Sequence, residues 1–167
     1  MRRGVRTRST EEKREARCQS RMTKVEQTIS AGPEPEAARG LLAAANLPTS
    51  DLTDKDLTSF FYCGPAASPS ALIGLEIYGT EALLRSLVVD PSVRSIGLGS
   101  ALVERAEIHA AKHGVGALYL LTTTAEAFFA RRGYHRIDRA VAPAAIRSTR
   151  EFAGLCPASS AFMLKRL

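Results

Sequence analysis

The hydrophobic and polar positions of this 167-residue chain show two periodicities, one typical of short strands and one typical of helices. Alternating or short apolar runs favour strands, and these lie at residues 25–29, 60–63, 71–78, 82–89, 117–122, 134–138 and 161–165. Segments rich in Ala, Leu and Glu, or with apolar residues every three to four positions, predict helices at 34–45, 51–58, 98–113 and 125–132. Gly114 and Gly133 follow two of these helices and are typical of a C-terminal stop.

The order of these elements predicts the fold class. One strand and two helices come first, then three strands, and then helices and strands alternate until a late strand closes the chain. Runs of strands followed by alternation predict an α/β (α+β) fold with one mixed central sheet and helices on both faces.

The net charge of +6 changes this picture only at the N-terminus. Residues 1–24 hold nine Lys or Arg against three acids, so the remaining chain is neutral. Because that segment has almost no large apolar residues, we expect a disordered basic extension over 1–23 and a single domain over 24–167. A nucleic-acid-binding arm is the alternative, which the neutral body does not favour, and Met22 is an alternative natural start.

Cysteine usage and hydropathy suggest a location. The cysteines Cys18, Cys63 and Cys156 are odd in number and far apart, which favours a reducing compartment over a disulfide framework. No apolar run approaches the roughly 20 residues needed to span a bilayer, and the arginine-rich start leads into no apolar signal region. We therefore expect a cytoplasmic protein without a membrane partner.

The stretch that follows the strand 82–89 has the strongest signal for chemistry. Asp90 and Pro91 end this strand, Arg94 comes next, and Gly97 and Gly99 stand at the start of a long helix. Glycines let a ligand approach the main chain, and a helix N-terminus offers free N–H groups, so this loop predicts a phosphate or pyrophosphate site. The alternative is an ordinary tight turn in which the glycines serve only the backbone geometry.

Two nucleotide-binding motifs do not fit this loop. The P-loop requires a Lys directly after its last glycine, but Ser100 follows Gly99. The dinucleotide fingerprint requires a third glycine at the position that Leu102 occupies.

Two motifs at the right separation resemble the GCN5-related N-acetyltransferase (GNAT) superfamily. Arg94-Ser-Ile-Gly97-Leu-Gly99 matches its [QR]-x-x-G-x-[GA] signature, and residues 125–134 resemble its A-x-x-F-Y-x-x-x-G-[FY] helix. The resemblance covers residues 24–167 and implies a mostly antiparallel sheet and transfer of an acetyl group from acetyl-CoA to a small-molecule amine. It implies that acetyl-CoA, as co-substrate, is held by Leu87, Val88, Val89, Arg94, Ser95, Ile96, Gly97, Leu98, Gly99, Ser100 and Phe129.

A finer resemblance concerns the acceptor. Residues 82–91, 120–134, 144–149 and 151–159 look like the second type of arsenic-resistance N-acetyltransferase, and Leu121-Thr-Thr-Thr-Ala also resembles the acetyltransferase domain of N-acetylglutamate synthases. Both imply an amino-acid-like acceptor with an α-amine and a carboxylate.

Departures from the family pattern leave the proton transfers open. Phe129 stands where many members have a Tyr that acts as general acid, and Leu83 stands where a carboxylate base is common. An amine must lose a proton before it attacks, and Glu76 in the preceding strand is our candidate base, with a solvent-facing residue as the alternative. Arg85 and Ser86 complete the predicted catalytic set; Arg85 would pair with the acceptor carboxylate, or else lie along the sheet surface.

Two histidines are considered as metal ligands. His109 and His113 have the spacing of zinc ligands but no third ligand, so no metal site is predicted. The two departures at Phe129 and Leu83 keep a second function open, a non-catalytic acyl-CoA-binding or regulatory module. The sequence names neither the acceptor nor the oligomeric state, and a homodimer is among the possibilities.

Overall fold

The computed structural model describes residues 29–167. The predicted basic extension over 1–23, the alternative start at Met22 and most of the first predicted strand lie outside the described residues.

Seven strands and five α-helices form the described chain. The strands are β1 (Ile29–Ala31), β2 (Phe60–Cys63), β3 (Ala71–Tyr78), β4 (Glu81–Val89), β5 (Ala117–Thr122), β6 (His135–Arg136) and β7 (Ala161–Arg166). The α-helices are α1 (Pro35–Ala44), α2 (Asp54–Leu57), α3 (Leu98–Lys112), α4 (Glu126–Ala130) and α5 (Ala144–Arg147). Short 3-10 helices span Pro91–Val93 and Arg139–Val141, and a π-helical turn spans Glu151–Leu155.

The strands form one sheet in the order β1-β2-β3-β4-β5-β7-β6. The β4–β5 pair is parallel, and the other pairs are antiparallel. This confirms the mixed, mostly antiparallel sheet. Parallel pairing of β4 and β5 requires a crossover, and α3 supplies it.

Helices cover both faces of the sheet, as predicted. The apolar stripe of α3, with Leu98, Leu102 and Ala106, packs into the main core against inward residues of β2 to β5. On the opposite face, α1 and α2 cover one cluster around Leu42, and α5 covers a neighbouring cluster around Ile146. Burial of these apolar side chains is the main stabilising contribution.

Strands β4 and β5 part halfway along β4. Their parallel ladder begins at Glu81 and Ala117, and its last pair is Leu84 and Leu120. Just beyond this point the antiparallel ladder with β3 shifts register, because Leu72 pairs with Val88 while Gly74 pairs with Arg85. One extra residue of β4 therefore forms a β-bulge, and Ser86 within it has the left-handed φ of 57°. The bulge and the opening between the strands create room in the middle of the sheet.

Two parts of the chain differ from the sequence prediction. The strand expected over 134–138 is reduced to two residues, because Tyr134 is buried and Asp138 instead caps a 3-10 turn by accepting from the N–H of Ala140. Helix α5 and the π-helical turn were not predicted. No helix in the described range 29–167 is long and apolar enough to cross a membrane.

Candidate active site

A cavity of about 670 Å³ lies along the last residues of β4, the following loop and the N-terminus of α3. Nine of the residues predicted to hold acetyl-CoA line it: Leu87, Val88, Val89, Arg94, Ser95, Gly97, Leu98, Gly99 and Ser100. The structure therefore brings these residues together around one space. The sequence analysis missed the other side of the cavity, formed by Ala45, Leu47, Thr124, Ala125, Phe128 and Arg131.

The loop before α3 has the geometry of an anion site. Gly97 is the N-cap of α3 with a left-handed φ of 88°, and Ser95 also has a positive φ of 68°. The first N–H groups of a helix have no intrahelical partner, so they remain available to a negatively charged group in this cavity. Arg94 is exposed, and its Nε donates to the carbonyl of Val89 at 3.1 Å. That bond fixes the base of the guanidinium at the rim of the cavity.

Phe128 of α4 and Arg132, in the turn after that helix, support the cavity. The Arg132 guanidinium lies over the Phe128 ring, 3.7 Å from its centroid, and also donates to the hydroxyl of Ser100. A cation over an aromatic face is attractive, so the two residues hold each other in place next to the start of α3.

Two of the predicted cofactor residues do not line this cavity. Phe129 is 5% exposed and packs edge-on against Tyr134 in the main core, while its neighbour Phe128 forms the cavity wall. Ile96 is half-buried and packs against the same core. In a short helix, adjacent side chains point in different directions, and burial selects Phe129 for the core.

A second cavity of about 620 Å³ is lined by an earlier part of β4 than the first. Arg85 lines the second cavity and Leu87 lines the first, with the bulge residue Ser86 between them. The loop before α2, the free end of β3 and the chain after α5 supply the other walls, through Asp51, Thr53, Glu76, Tyr78, Thr149 and Arg150 among others.

Arg85 is the centre of a buried ionic cluster on this second cavity. Its Nη1 lies 2.6 Å from carboxylate oxygens of both Asp51 and Glu76, and its Nε lies 3.1 Å from Glu151 Oε1. The side chains of Arg85, Asp51 and Glu151 are at most 7% exposed, whereas Glu76 is 23% exposed and lines the cavity. Burial lowers the pKa of Arg85, but the contacts with Asp51, Glu151 and Glu76 outweigh it and raise that pKa overall.

Glu76 therefore lies between a cation and a hydroxyl. It accepts hydrogen bonds from Arg85 Nη1 at 2.6 Å and from the Tyr78 hydroxyl at 2.5 Å. Burial and the Glu76 carboxylate raise the pKa of Tyr78, so the phenol stays protonated and remains a donor. The two hydrogen bonds orient the Glu76 carboxylate at the cavity surface.

The predicted catalytic residues thus lie together, but Arg85 has partners that the sequence did not indicate. Two of its nitrogens bind carboxylates of the protein itself. Its third nitrogen, Nη2, is buried without a hydrogen-bond partner among the described residues, as is Oδ1 of Asp51. Arg85 is neither a free clamp nor a residue lying on the sheet surface. Ser86 lies at the bulge, with its Oγ 3.4 Å from Arg85 Nε.

Asp51 and Glu151 are the site residues that sequence reasoning missed. Asp51 stands at the start of the helix predicted over 51–58, but in the structure Thr53 caps α2 in a capping box with Asp56, and Asp51 reaches Arg85 instead. Glu151 stands in an otherwise apolar segment, Glu-Phe-Ala-Gly-Leu, and that isolated acid was the available signal.

Gly74 is a further residue that the site requires. A Cβ at this position would lie 2.5 Å from Phe60 Cζ and 2.9 Å from Arg85 Cγ, both closer than real contacts allow. The missing side chain makes room for the stem of Arg85 against the sheet.

The remaining candidates have structural surroundings. His109 lines the edge of the second cavity and packs edge-on against Phe61, and burial lowers its pKa. Burial raises the pKa of the Cys156 thiol to about 11, which disfavours a reactive thiolate. Within residues 29–167, no group of three or more His, Cys, Asp or Glu side chains could hold a metal ion.

Comparisons with known proteins agree with this geometry. The family model described as acetyltransferase (GNAT) domain matches residues 66–136, which contain β3, β4, the glycine loop, α3, β5 and α4. No curated protein matches the chain.

Several solved structures have the same fold. N-acetylglutamate synthase from Neisseria gonorrhoeae, complexed with coenzyme A and L-arginine, has a TM-score of 0.71 and 17% identity over 84% of this chain and 33% of its own. Rv2747 from Mycobacterium tuberculosis, in complex with CoA and NLQ, has a TM-score of 0.67 and 18% identity over 83% of this chain and 98% of its own. A GNAT-family acetyltransferase from Staphylococcus aureus has a TM-score of 0.66 and 16% identity over 83% of this chain and 98% of its own.

The chain spans about a third of the length of the N-acetylglutamate synthase that it resembles. Residues 66–136 match the acetyltransferase (GNAT) domain in sequence, and the described chain has the fold of the GNAT N-acetyltransferases.

Proposed function

We propose that this protein is an acetyl-CoA-dependent N-acetyltransferase that acetylates the amine of a small amino-acid-like acceptor in the cytoplasm. One observation carries the proposal. The cavity lined by the predicted cofactor residues includes Leu87 of β4, and the cavity lined by Glu76 includes Arg85 of the same strand. Only the bulge residue Ser86 separates these two positions, just beyond the point where β4 and β5 part. A thioester held along the first cavity and an amine held in the second would meet at that point.

The reaction would be a direct transfer within a ternary complex. Glu76 takes a proton from the acceptor ammonium group, and the neutral nitrogen attacks the thioester carbonyl carbon. A C–N bond forms and the C–S bond breaks. The nitrogen loses its second proton, the departing CoA thiolate takes up a proton, and Glu76 releases the first proton to solvent. The loop from Arg94 to Gly99 holds the pyrophosphate, and Val89 and its neighbours on β4 align the pantetheine arm.

The chain offers no hydroxyl at the position of Phe129 to protonate the leaving thiolate. Water is a sufficient proton source, because a thiol with a pKa of about 8.5 is a good leaving group near neutral pH. Thr124 lines the cofactor cavity and is the nearest protein alternative on that side.

The acceptor class rests on charge. Glu76 at the surface of the second cavity attracts an ammonium group, which supports an amine acceptor there. The resemblance to acetyltransferases of amino-acid-like acceptors supports a carboxylate on the same molecule. The resemblance to arsenic-resistance enzymes extends this proposal to organoarsenical amino acids, and a role in arsenic resistance would follow from that activity. A structural relative, the N. gonorrhoeae synthase, was also solved with coenzyme A and N-acetyl-glutamate, which is an acetylated amino acid.

One observation favours a second candidate, a non-catalytic acyl-CoA-binding module. Phe129 is buried in the core and Leu83 is fully buried, so neither position gives an acid or a base to the cavities. Such a module would bind acetyl-CoA and leave the thioester intact.

A thiol-release screen separates the two functions. The purified protein is mixed with acetyl-CoA and single acceptors, among them amino acids, an organoarsenical and a phosphinic amino acid, and a polyamine. Release of free CoA that requires an amino-acid-like amine supports the enzyme. Binding of acetyl-CoA by calorimetry with no release for any acceptor supports the module. A preference for the polyamine contradicts the proposed acceptor class.

A further inference from the structure

Three acidic side chains from three separate segments converge on the one guanidinium of Arg85. Asp51 comes from the loop before α2, Glu76 from β3 and Glu151 from the π-helical turn after α5. The charged and titratable groups that face Glu151 are Arg85, Glu76 and Asp51, with Cys156 and Arg139 close by and Arg147 of α5 exposed to solvent.

The charges of this cluster do not balance when every acid is ionised. One cation then faces three anions, which leaves an excess of negative charge where most of the side chains are buried. Buried like charges disfavour full ionisation, so the cluster retains a proton more readily than isolated acids would.

The geometry indicates which acid holds that proton. Asp51 and Glu76 contact Nη1 of Arg85 at 2.6 Å, whereas Glu151 contacts Nε at the longer distance of 3.1 Å. Glu151 is buried, as Asp51 is, so its weaker contact with the cation is not offset by water. Burial raises the pKa of Glu151 to about 7; Arg85 opposes this rise, and Glu76 and Asp51 add to it. Glu151 is therefore the member whose charge changes near neutral pH.

Resting on the proposed function, we propose that Glu151 is a positioning residue that acts on Glu76 through Arg85. When Glu151 is ionised, it competes with Glu76 for the positive charge of the guanidinium. Glu76 then binds a proton more strongly and is a better acceptor for the proton of the incoming ammonium group. When Glu151 is protonated, only Asp51 and Glu76 share the positive charge of Arg85. Arg85 then stabilises the anionic form of Glu76 more strongly, so Glu76 is a weaker base.

The proton balance of the step is simple. The acceptor nitrogen loses one proton to a Glu76 oxygen, and Glu151 neither gains nor loses a proton during the transfer. Glu151 lies behind Arg85 and does not line the cavity, so its effect is electrostatic.

The first experiment needs no catalysis. Carboxyl ¹³C shifts of the glutamates are followed by NMR between pH 4 and 9 in the intact protein, with Glu151→Gln and Glu76→Gln used to assign the two signals. We expect the Glu151 signal to titrate near pH 7 and the Glu76 signal to respond in the same pH range. Titration of Glu151 below pH 5, or a Glu76 signal that does not respond, overturns the proposal.

The second experiment uses pH profiles of kcat/KM with two acceptors whose amine pKa values differ. In the parent, an acidic limb near pH 7 should stay in place when the acceptor is changed, because it belongs to the protein. In Glu151→Gln this limb should move down by a pH unit or more, and the plateau should fall about three- to tenfold as Glu76 weakens as a base. A limb that follows the amine pKa alone, or an unchanged limb in Glu151→Gln, overturns the proposal.

Glu36→Gln is the matched control, because Glu36 is an exposed acid on α1 that pairs only with the surface residue Arg39 among the described residues. It should keep the parent profile. Absence of thiol release from the parent with every acceptor overturns the proposed function instead, and the NMR titration still decides the coupling.

Discussion

Gly74 on β3 pairs directly with Arg85 on β4, and the missing side chain of the one makes room for the buried side chain of the other. Phe60 occupies the rest of that space, so a Cβ on Gly74 would overlap both neighbours. The position of the ionic cluster thus depends on a residue that carries no charge.

Gly74→Ala should displace Arg85 from its three carboxylates. We expect a loss of stability of about 1–3 kcal/mol, typical of overpacking, and a lower kcat/KM for the amine with unchanged acetyl-CoA affinity. Denaturant unfolding and calorimetry measure the two effects. Gly40→Ala is the control, because a Cβ there meets nothing within 4 Å in the helix α1 and should be neutral or stabilising. Equal behaviour of the two variants would contradict the role of Gly74.

Gly97→Val should abolish tight acetyl-CoA binding, because Gly97 lines the first cavity at the start of α3 and a side chain there would occupy the space proposed for the pyrophosphate. The left-handed φ of 88° adds backbone strain, so a loss of stability is expected as well. Gly114→Val controls for this strain, because Gly114 has a φ of 78° in open space at the other end of α3. Both variants should unfold at similar denaturant concentrations, and only Gly97→Val should lose binding in calorimetry. Retained affinity in folded Gly97→Val would exclude the loop as the pyrophosphate site.

Arg94→Ala should weaken CoA more than a CoA fragment without phosphates. An exposed charge pair contributes about 1 kcal/mol, so the expected loss in affinity for CoA is about fivefold. The loss should shrink as salt is added. Arg147→Ala, another exposed arginine far along the chain, should bind CoA like the parent. A loss that is the same for CoA and for the fragment would mean that Arg94 serves only the loop backbone.

Substitutions at Phe128 and Phe129 should affect different properties: the first acetyl-CoA affinity, and the second the stability of the fold. Phe128→Ala removes a wall of the cofactor cavity and the partner of Arg132, so acetyl-CoA affinity should fall about tenfold. Phe129→Leu changes the core and should cost less than about 1.5 kcal/mol of stability with normal affinity. Calorimetry and thermal unfolding of both variants measure this contrast, and the reverse result would restore Phe129 as the cofactor residue.

The stability of the protein should depend on Glu151 between pH 4.5 and 7. Its pKa is raised from 4.5 to about 7 in the folded state, so over this range the unfolded chain has released a proton that the folded chain retains. Stability from this group is therefore present below pH 4.5 and lost as the pH rises through 7, on the order of 3 kcal/mol in total. As the pH rises from 4.5 to 7, the free energy of unfolding of the parent should therefore fall relative to that of Glu151→Gln. A constant difference between the two proteins would contradict the raised pKa.

The sequence by itself determined the sheet, its crossover helix and the glycine loop before that helix. The periodicities of strands and helices depend on residues close together in the chain. The motif Arg94-Ser-Ile-Gly97-Leu-Gly99, at the start of the long helix, is contiguous as well. For the same reason most of the predicted cofactor residues line one cavity. Adjacent residues on a strand and its following loop stay adjacent whatever the rest of the fold does.

Only the tertiary structure decided the environment of Arg85 and the roles of Phe128 and Phe129. Asp51, Glu76 and Glu151 are far apart in the chain, and the packing of three segments brings them to one guanidinium. The bulge at Ser86 also changes which side chains share a face, and no local pattern predicts an inserted residue. Side-chain partners across long loops depend on the whole core, because burial there sets both the pairing of charges and the choice between two neighbouring phenylalanines.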